Sequence, residues 1–261
     1  MNNDSPLKAA LVAVGVAFVC SVMVSTTRVL LVPSDAGAVD IAKARHVLVA
    51  GGLSPSAGSY DDNEVLVRFR ELRPVLVDLE TGIEVDAPDA ASYDQRAAAI
   101  DPEQSVAIPK DRDLAQLGRR AKYALAYLLP PHNGSGGVVL PVHGKGMWST
   151  IYGYVGLGPD LNTIHGVSFY EQAETPGVGD RFLEPTWLAS WRGKSIYGED
   201  GTLRFEVALP QAGGSPAGHR VDAISGATVT SERIGAMIGY WLGPDCFGPY
   251  LERLRDRGSR P

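Results

Sequence analysis

The sequence predicts an α+β protein in which a single N-terminal transmembrane helix precedes a soluble, mixed α/β domain. The first observation is residues 9–27, which contain no ionisable side chain except the Cys20 thiol. The second is a set of short β-branched runs, such as residues 138–142, that are typical of buried strands. The third is an apolar stripe at the helical period near the C-terminus. The predicted divisions are a tail (residues 1–7), a transmembrane helix (8–32), a membrane-proximal α/β region (33–130) and a core with a C-terminal helix (131–261).

The N-terminal apolar segment is long enough to cross a bilayer. At a rise of about 1.5 Å per residue, its length comes close to the roughly 30 Å of a hydrocarbon core. Arg28 stands at its edge, where a long side chain can reach the interface. The alternative is a cleaved signal peptide with Lys8 as its charged start, but the run is longer than usual and lacks a clear cleavage site. Lipid attachment at Cys20 is disfavoured by the bulky Val19 before it.

The charges that flank this segment do not fix its orientation. Lys8 precedes it, whereas Arg28, Lys43 and Arg45 follow it. Cytoplasmic loops usually carry the excess of positive charge, so this count leans toward a cytoplasmic position for the soluble domain.

Composition and charge exclude several classes of function. The chain has 261 residues, enough for one large domain or two small ones, and a net charge of −6. Without a basic stripe to replace phosphate counterions, a nucleic-acid partner is not expected. Cys20 and Cys246 cannot supply a four-thiolate metal site, and the five histidines form no i, i+4 pair. We therefore predict no metal site, and no catalytic side chain is evident because no Ser/His/Asp arrangement is visible.

Residues 33–130 are typical of a chemically quiet α/β region. Residues 65–72 and 74–79 are typical of strands, and Thr81-Gly82 is typical of a turn. The acidic, proline-containing stretch 86–101 predicts a surface loop. The mixed-charge stretch 111–120 predicts a structural surface patch, and residues 123–129 predict a strand or a short helix that enters the core.

The next part of the chain contains two glycine-rich segments. A loop at residues 130–137 leads into the buried strand predicted for residues 138–142, and residues 144–154 follow with two early glycines and Trp148. Glycine lets backbone approach a flat ligand closely, although packing is the more common reason for this pattern. After a predicted strand at 167–170 comes a Thr-Pro-Gly turn in which Gly177 and Gly179 would expose N–H groups to an anion or a ring carbonyl. Neither the dinucleotide nor the P-loop fingerprint is present.

The segment Asp-Ala-Ile-Ser-Gly-Ala-Thr-Val-Thr-Ser, residues 222–231, predicts a turn at Ser225-Gly226 and then a helix. The helix is indicated by apolar residues at the helical period, and Gly243-Pro244 predicts its end. Thr228 is therefore placed at or just before a helix N-terminus, a location that favours a phosphate. By local pattern alone, a hydroxyl cap without further function is the commoner explanation.

Residues 222–231 resemble the flavinylation motif of the FMN-binding domain family, which occurs in the C subunit of the sodium-pumping NADH:quinone reductase and in the G subunit of the related Rnf complex. The residue after the aspartate is often glycine in that family and is Ala223 here, but the Ser-Gly-Ala-Thr core is intact. Glu-Thr-Pro-Gly-Val-Gly, residues 174–179, resembles a second motif of the family. The segments 144–154, 169–177 and 241–250 are more similar to the reductase subunit than to its Rnf counterpart.

The resemblance implies covalently attached FMN, with Thr228 as the residue that forms the phosphoester. The motif that a flavin transferase recognises would contain Asp222, Ser225, Gly226 and Ala227. The residues implied to line the flavin are Trp148, Ser149, Glu174, Thr175, Gly177, Val178 and Gly179.

The implied function is electron relay within a Na⁺-translocating NADH:quinone oxidoreductase, an ion-pumping enzyme complex. The implied partners are membrane subunits such as B, D and E and the flavin transferase. The implied location is the bacterial inner membrane, with one membrane pass and the soluble domain on the periplasmic side. The alternatives are an Rnf-type electron-transport subunit, or a membrane-tethered FMN-binding sensor or assembly module without redox turnover.

Overall fold

The structure is a computed structural model that describes residues 6–31, 40–86, 90, 92–132, 135–209 and 217–258. The helices are α1 (Pro6–Leu31), α2 (Ile41–Ala50), α3 (Asp62–Phe69), α4 (Gln95–Ile100), α5 (Pro185–Ala189), α6 (Thr228–Trp241) and α7 (Gly248–Gly258), with 3₁₀ turns at Gly179–Leu183 and Ala217–His219. The strands are β1 (Arg73–Asp78), β2 (Ile83–Val85), β3 (Ser105–Ala107), β4 (Arg119–Ala121), β5 (Tyr123–His132), β6 (Ser135–Lys145), β7 (Thr150–Leu157), β8 (Ile164–Glu171), β9 (Glu206–Ala208) and β10 (Arg220–Asp222). The chain divides into two units, Met1–Ala38 and Val39–Pro261.

The first unit contains α1, a helix of 26 residues. Its stretch Ala10–Thr27 has a mean hydropathy of 2.1 and is long and apolar enough, by length and composition, to cross a membrane. The apolar side chains of this stretch are exposed, as they are on a helix that faces lipid. The helix predicted at 8–32 overlaps α1, which begins at Pro6, inside the predicted tail 1–7; residues 1–5 and residue 32 lie outside the described residues.

The second unit is built on a six-stranded sheet in the order β2-β1-β5-β6-β7-β8. All of its neighbouring strands are antiparallel. β9 and β10 form a short parallel pair, and β3 and β4 form a short antiparallel pair. The predicted fold class, an apolar helix followed by a mixed α/β domain, is confirmed.

The central sheet has a hydrophobic core on each face. Strand β6 shows why, because Val138, Leu140 and Val142 belong to the core beneath α6, whereas Val139 belongs to the core beneath α2 and α3. Side chains alternate between the two faces of a strand, so an almost continuous apolar run is what a sheet covered on both faces requires. The buried strand predicted for residues 138–142 is thereby confirmed.

Other predicted elements also match the structure. The strand predicted at 74–79 is β1, and the turn at Thr81-Gly82 joins it to β2. The stretch 123–129, predicted as a strand or a short helix, is the strand β5, and the strand at 167–170 lies within β8. The helix predicted after the Ser-Gly turn is α6, which ends at Trp241, two residues before Gly243-Pro244.

Three predictions were wrong in whole or in part. Residues 65–72 were predicted as a strand, but most of them lie in α3, because Asp61 caps the helix and Glu64 pairs with Arg68 one turn later. The predicted loop 86–101 contains helix α4, which Asp94 caps; residues 87–89 and 91 lie outside the described part. Most of the residues predicted as a loop at 130–137 belong instead to the strands β5 and β6, and residues 133 and 134 lie outside the described part.

The division of the soluble part at residue 130 remains a prediction. Strands from both sides of it pair in the central sheet, since β5 lies between β1 and β6.

Candidate functional site

The segment around Thr228 is a tight turn followed directly by a helix. Residues 224–227, which we call the acceptor turn, are closed by a hydrogen bond of 2.9 Å from Ala227 N–H to Ile224 C=O. Gly226 has a φ of +87°, the value that the third position of a type II turn requires. Helix α6 then begins at Thr228. The predicted turn and helix start are therefore both present.

The start of α6 has no hydroxyl cap. The N-cap residue is Ala227, which makes no side-chain hydrogen bond, and Thr228 is the first helical residue. The half-buried Thr228 Oγ1 donates only a long hydrogen bond of 3.4 Å to Ile224 C=O. The interpretation of Thr228 as a simple N-cap is therefore wrong, and its hydroxyl is weakly engaged at the positive end of a helix.

The acceptor turn is fixed to the helix by Ser231. The buried Ser231 Oγ accepts from Ile224 N–H at 3.1 Å and donates to Ala227 C=O at 2.8 Å. Arg181 holds the other side of the turn, with Nη1 donating to Ser225 C=O at 3.0 Å. These contacts fix the backbone of the turn that leads directly into Thr228.

The Thr-Pro-Gly turn lies against the same helix start. Its N–H groups form hydrogen bonds within the turn and its flanking residues. Thr175 C=O accepts from the N–H groups of Val178 and Gly179, at 3.1 and 2.8 Å. The N–H of Gly177, which has a φ of +73°, donates to Asp180 Oδ1 at 2.7 Å. The expectation that Gly177 and Gly179 offer free N–H groups to a ligand is therefore wrong, because the turn satisfies these donors internally.

Residues 146–149 connect β6 to β7 and form what we call the wall loop. A hydrogen bond of 2.7 Å from Gly146 N–H to Ser149 C=O closes it. The loop presents Trp148, whose side chain is 69% exposed. A Cβ built on Gly146 would lie 2.7 Å from Glu174 Oε1. At Gly146 the closely approaching group is a carboxylate, whereas the predicted approach of a flat ligand to this loop stays a prediction.

Glu174 connects the wall loop to α6. Its side chain is buried, with 3% exposed, and its carboxylate accepts several hydrogen bonds from neutral donors. These donors are Met147 N–H (3.0 Å), Trp148 N–H (3.0 Å), Ser149 N–H (2.9 Å), Ser149 Oγ–H (2.9 Å) and Thr230 Oγ–H (2.9 Å). Burial raises the pKa of Glu174, but these hydrogen bonds outweigh burial and hold it below its ordinary value of 4.5.

The wall loop, the Thr-Pro-Gly turn and the start of α6 surround a cavity of about 240 Å³. Its lining consists of Met147, Trp148, Glu174, Thr175, Val178, Gly179, Gly226, Ala227, Thr228, Val229 and Thr230. The structure thus brings eight of the predicted site residues to one cavity: Trp148, Glu174, Thr175, Val178, Gly179, Gly226, Ala227 and Thr228. The other four, Ser149, Gly177, Asp222 and Ser225, stand outside the lining.

Several residues of the site were missed from the sequence. Met147, Val229 and Thr230 line the cavity, and each is the direct neighbour of a predicted residue or lies within the quoted motif. Arg233 donates through Nη1 to Gly146 C=O and so ties the wall loop to α6. Arg233 lies outside every motif, and its contact joins positions 87 residues apart, so no local signal indicated it.

The rim of the cavity is apolar and exposed. Besides Trp148, the exposed side chains are Met147 (50%), Val178 (49%) and Val229 (45%). Exposed apolar side chains that converge on one concave site are unusual on a protein surface and mark a ligand or partner site. An apolar rim beside an uncapped helix start suits a ligand that has both a flat ring and an anionic group.

Comparisons with known proteins agree with this arrangement. The model of the family described as "FMN-binding domain" matches residues 146–243, a range that contains the wall loop, the Thr-Pro-Gly turn and α6. The C subunit of the Na(+)-translocating NADH-quinone reductase of Vibrio alginolyticus is 40% identical over 98% of this chain and 97% of its own length. The protein of the same name from Pseudomonas aeruginosa is 37% identical over 97% of this chain and 98% of its own.

Two solved structures share the fold. The crystal structure of Shewanella oneidensis NqrC has a TM-score of 0.72 and 34% identity, and the match covers 81% of this chain and 95% of that one. The C subunit of the Na(+)-translocating NADH-quinone reductase from Parabacteroides distasonis has a TM-score of 0.60 and 26% identity, over 81% of this chain and 92% of that one.

Proposed function

The chain belongs to the NqrC family, the C subunits of the Na(+)-translocating NADH-quinone reductases, and from this membership we propose that it carries FMN as a phosphoester on Thr228. The family places the chain in an oxidoreductase complex, as an FMN-binding subunit with an apolar N-terminal helix. The proposal goes further, to the covalent bond, the acceptor residue and the role of electron relay.

One observation carries the proposal: Thr228 lines the same cavity as Trp148, at the uncapped start of α6. A phosphate on Thr228 would lie at the positive end of a helix, where N–H groups and the macrodipole stabilise an anion. The apolar side chains of Trp148 and Val178 would contact the ring system of the flavin. The residues present therefore fit both ends of FMN.

The size of the cavity bears on how the flavin would be held. Enclosed ligand pockets measure about 300–1,000 Å³, whereas this cavity measures about 240 Å³. A ligand as large as FMN would therefore remain partly exposed and accessible to a redox partner. A covalent bond would keep it in place where shape alone does not enclose it.

When bound, FMN would supply the redox chemistry of the relay. In the ester, Thr228 Oγ1 would be bonded to the flavin phosphorus; its formation would release the hydroxyl proton and break the phosphorus–oxygen bond between the flavin phosphate and the phosphate leaving group of an activated flavin diphosphate supplied by the flavin transferase. Arg181 and Ser231 hold the acceptor turn, and the wall loop presents Trp148. These residues would position the flavin and would not react.

The proposed setting follows the family resemblance. The chain would be a single-pass subunit of the bacterial inner membrane, with its soluble domain on the periplasmic side. It would exchange electrons with other subunits of the complex, such as the membrane subunits B, D and E, and a flavin transferase would modify it. The Rnf-type alternative is not favoured, because relatives that match nearly the whole chain are named as subunits of the NADH-quinone reductase.

The attachment is tested by mass spectrometry of the full-length chain purified from its native membranes. We expect the peptide that contains Thr228 to carry the added mass of an FMN ester. The Thr228→Val variant, which has a similar shape but no hydroxyl, should lose it completely, and Thr228→Ser should retain it. Flavin that persists in Thr228→Val would refute Thr228 as the acceptor.

The relay role needs a separate experiment. The complex is reconstituted with the Thr228→Val chain, and NADH:quinone activity is compared with that of the wild-type complex. We expect NADH:quinone activity to fall by about tenfold or more, because an essential electron carrier is missing. Full activity without bound flavin would favour the alternative of a sensor or assembly module.

A further inference from the structure

We propose that Glu174 is a positioning residue that couples the attachment helix to the wall loop, so that Thr228 and Trp148 are held in one arrangement before any flavin arrives. The inference rests on the proposed function for the identity of the ligand. The contacts that carry it lie within the protein and involve no ligand.

The two carboxylate oxygens of Glu174 divide their contacts between two parts of the site. Oε1 accepts from Trp148 N–H, Ser149 N–H and Ser149 Oγ–H, all in the wall loop. Oε2 accepts from Met147 N–H in the wall loop and from Thr230 Oγ–H in the first turn of α6. A single anionic group therefore joins the loop that carries Trp148 to the helix that begins with Thr228.

The surrounding backbone is shaped to admit this carboxylate. A Cβ on Gly146 would lie 2.7 Å from Glu174 Oε1, and a Cβ on Gly179 would lie 3.1 Å from Glu174 Cβ. Two further contacts support the wall loop: Ala173 N–H donates to Ser149 Oγ at 2.9 Å, and Arg233 donates to Gly146 C=O. The loop is thus fixed from the Glu174 segment and from α6.

The charge of Glu174, as well as its shape, matters for this role. All of its hydrogen-bond partners are neutral donors, and a carboxylate accepts from them without needing a hydrogen of its own. A glutamine would place an amide NH₂ opposite one group of these donors, so that N–H groups face each other. Glu174→Gln therefore breaks the coupling, although the two side chains have nearly the same shape.

The same carboxylate places a negative charge on the cavity wall. An anion beside a flavin disfavours the addition of electrons. We therefore expect the reduction potential of attached flavin to be higher in Glu174→Gln than in the wild-type protein, an effect that loosened packing alone does not predict.

Hydrogen exchange tests the coupling on the full-length, flavin-free chain in detergent, produced without a flavin transferase. In Glu174→Gln, one of the two carboxylate oxygens becomes an NH₂ group, so either the Met147 amide or the amides of Trp148 and Ser149 lose their acceptor. We expect the wall-loop amides that lose it to exchange faster by about tenfold or more. The matched control is Glu171→Gln, which removes the same charge from an exposed carboxylate paired with Arg96. The control should leave exchange in the wall loop unchanged.

Thr230→Val isolates the coupling through Glu174, because it cuts the contact between the carboxylate and α6 and leaves the carboxylate, the wall loop and the Arg233 contact intact. We expect faster exchange in the wall loop here too, and slower transfer of flavin to Thr228. Wall-loop exchange equal to wild type in Thr230→Val would overturn the inference. This variant also decides the question if Glu174→Gln does not fold.

The two proposals fail separately. If the wild-type chain carries no flavin on Thr228, the proposed function is wrong, while exchange in the flavin-free protein still decides the coupling. If flavin is attached but its reduction potential in Glu174→Gln equals that of Glu171→Gln, the electrostatic part of the inference is wrong.

Discussion

At the scale of single residues, the geometry of the proposed attachment site depends on the backbone of Gly226. Its φ of +87° closes the acceptor turn, and no heavy atom lies within 4 Å of a Cβ built there. A side chain at this position would therefore meet conformational strain but no steric clash. Positive φ costs an ordinary residue about 1–2 kcal/mol. The requirement for glycine here is one of backbone conformation.

We expect Gly226→Ala to lower the free energy of unfolding by about 1 kcal/mol, since the strain exceeds the small entropic gain from replacing glycine. Flavin transfer to Thr228 should also slow. Urea unfolding and mass spectrometry of the Thr228 peptide measure the two effects. Gly58→Ala is the control, because a Cβ there is also unobstructed and its φ lies outside the positive region. A Gly226→Ala protein as stable as this control would contradict the strain argument.

Individual residues that line the cavity could be predicted from the sequence where the chemistry of a side chain and a recognised motif indicate the same position. The sequence indicated Thr228, Trp148 and the Thr-Pro-Gly turn, and the structure brings them to one cavity. It did not indicate that Glu174 accepts hydrogen bonds from Thr230, a residue 56 positions away. Nor did it show that the glycine N–H groups of the turn are satisfied within the turn. Such facts depend on tertiary contacts that no local pattern encodes.

At the scale of elements, β6 and α6 meet through His143. Its ring lies 5.3 Å from the ring of Tyr152, in a stacked arrangement, and 4.7 Å from that of Trp241. Trp241 Nε1–H also donates to His143 C=O at 2.6 Å. Burial, reinforced by the nearby positive charge of Arg96, lowers the pKa of His143 to about 4. The folded state therefore favours the neutral form of the His143 imidazole at this contact.

The stability of the soluble domain should accordingly depend on pH. The pKa of His143 is about 4 in the folded state and 6.5 as its ordinary value. Between these values the unfolded chain binds more protons, so stability is fully present above about pH 6.5 and is lost as the pH falls toward about 4. Urea unfolding should show a loss on the order of 2 kcal/mol between pH 7 and pH 5.

His143→Phe is the matched variant, because it keeps an aromatic ring between Tyr152 and Trp241 and removes the titrating group. We expect a flatter stability profile between pH 7 and pH 5. The lowered pKa of the half-buried His46, due mainly to burial, contributes in the same direction and should leave a smaller residual slope. An unchanged slope in His143→Phe would show that His143 is not responsible.

Elements were predictable when one signal dominated. The apolar run in β6 predicts a buried strand and the apolar stripe in α6 predicts a helix, and both predictions were confirmed. Residues 65–72 mix apolar and charged positions that fit a strand or a helix. The N-cap hydrogen bond of Asp61 and the ion pair between Glu64 and Arg68 stabilise the helix over the strand. Similarly, α4 was not predicted within the acidic stretch 86–101, because a helix of six residues is too short to show a periodic pattern of apolar residues.

At the scale of the whole molecule, the chain combines an apolar helix with a folded domain that contains an apolar-rimmed cavity. The helix contains the stretch Ala10–Thr27, and the domain holds Thr228 at the start of α6. An electron relay requires that the flavin stay with the complex and remain accessible to its partners. In the proposed function, an anchor together with a covalent bond would meet the first need, and a cavity too small to enclose the flavin would meet the second.

The side of the membrane on which the domain lies is open to a direct test, since flanking charge and family resemblance point in opposite directions. We expect Lys110→Cys, at an exposed loop position, to react with a membrane-impermeant maleimide when only the outer membrane is permeabilised. Background labelling should be low, because Cys246 is buried and Cys20 lies within the apolar stretch of α1. The unsubstituted chain is the control. Labelling that appears only after the inner membrane is opened would place the domain in the cytoplasm and contradict the proposed orientation.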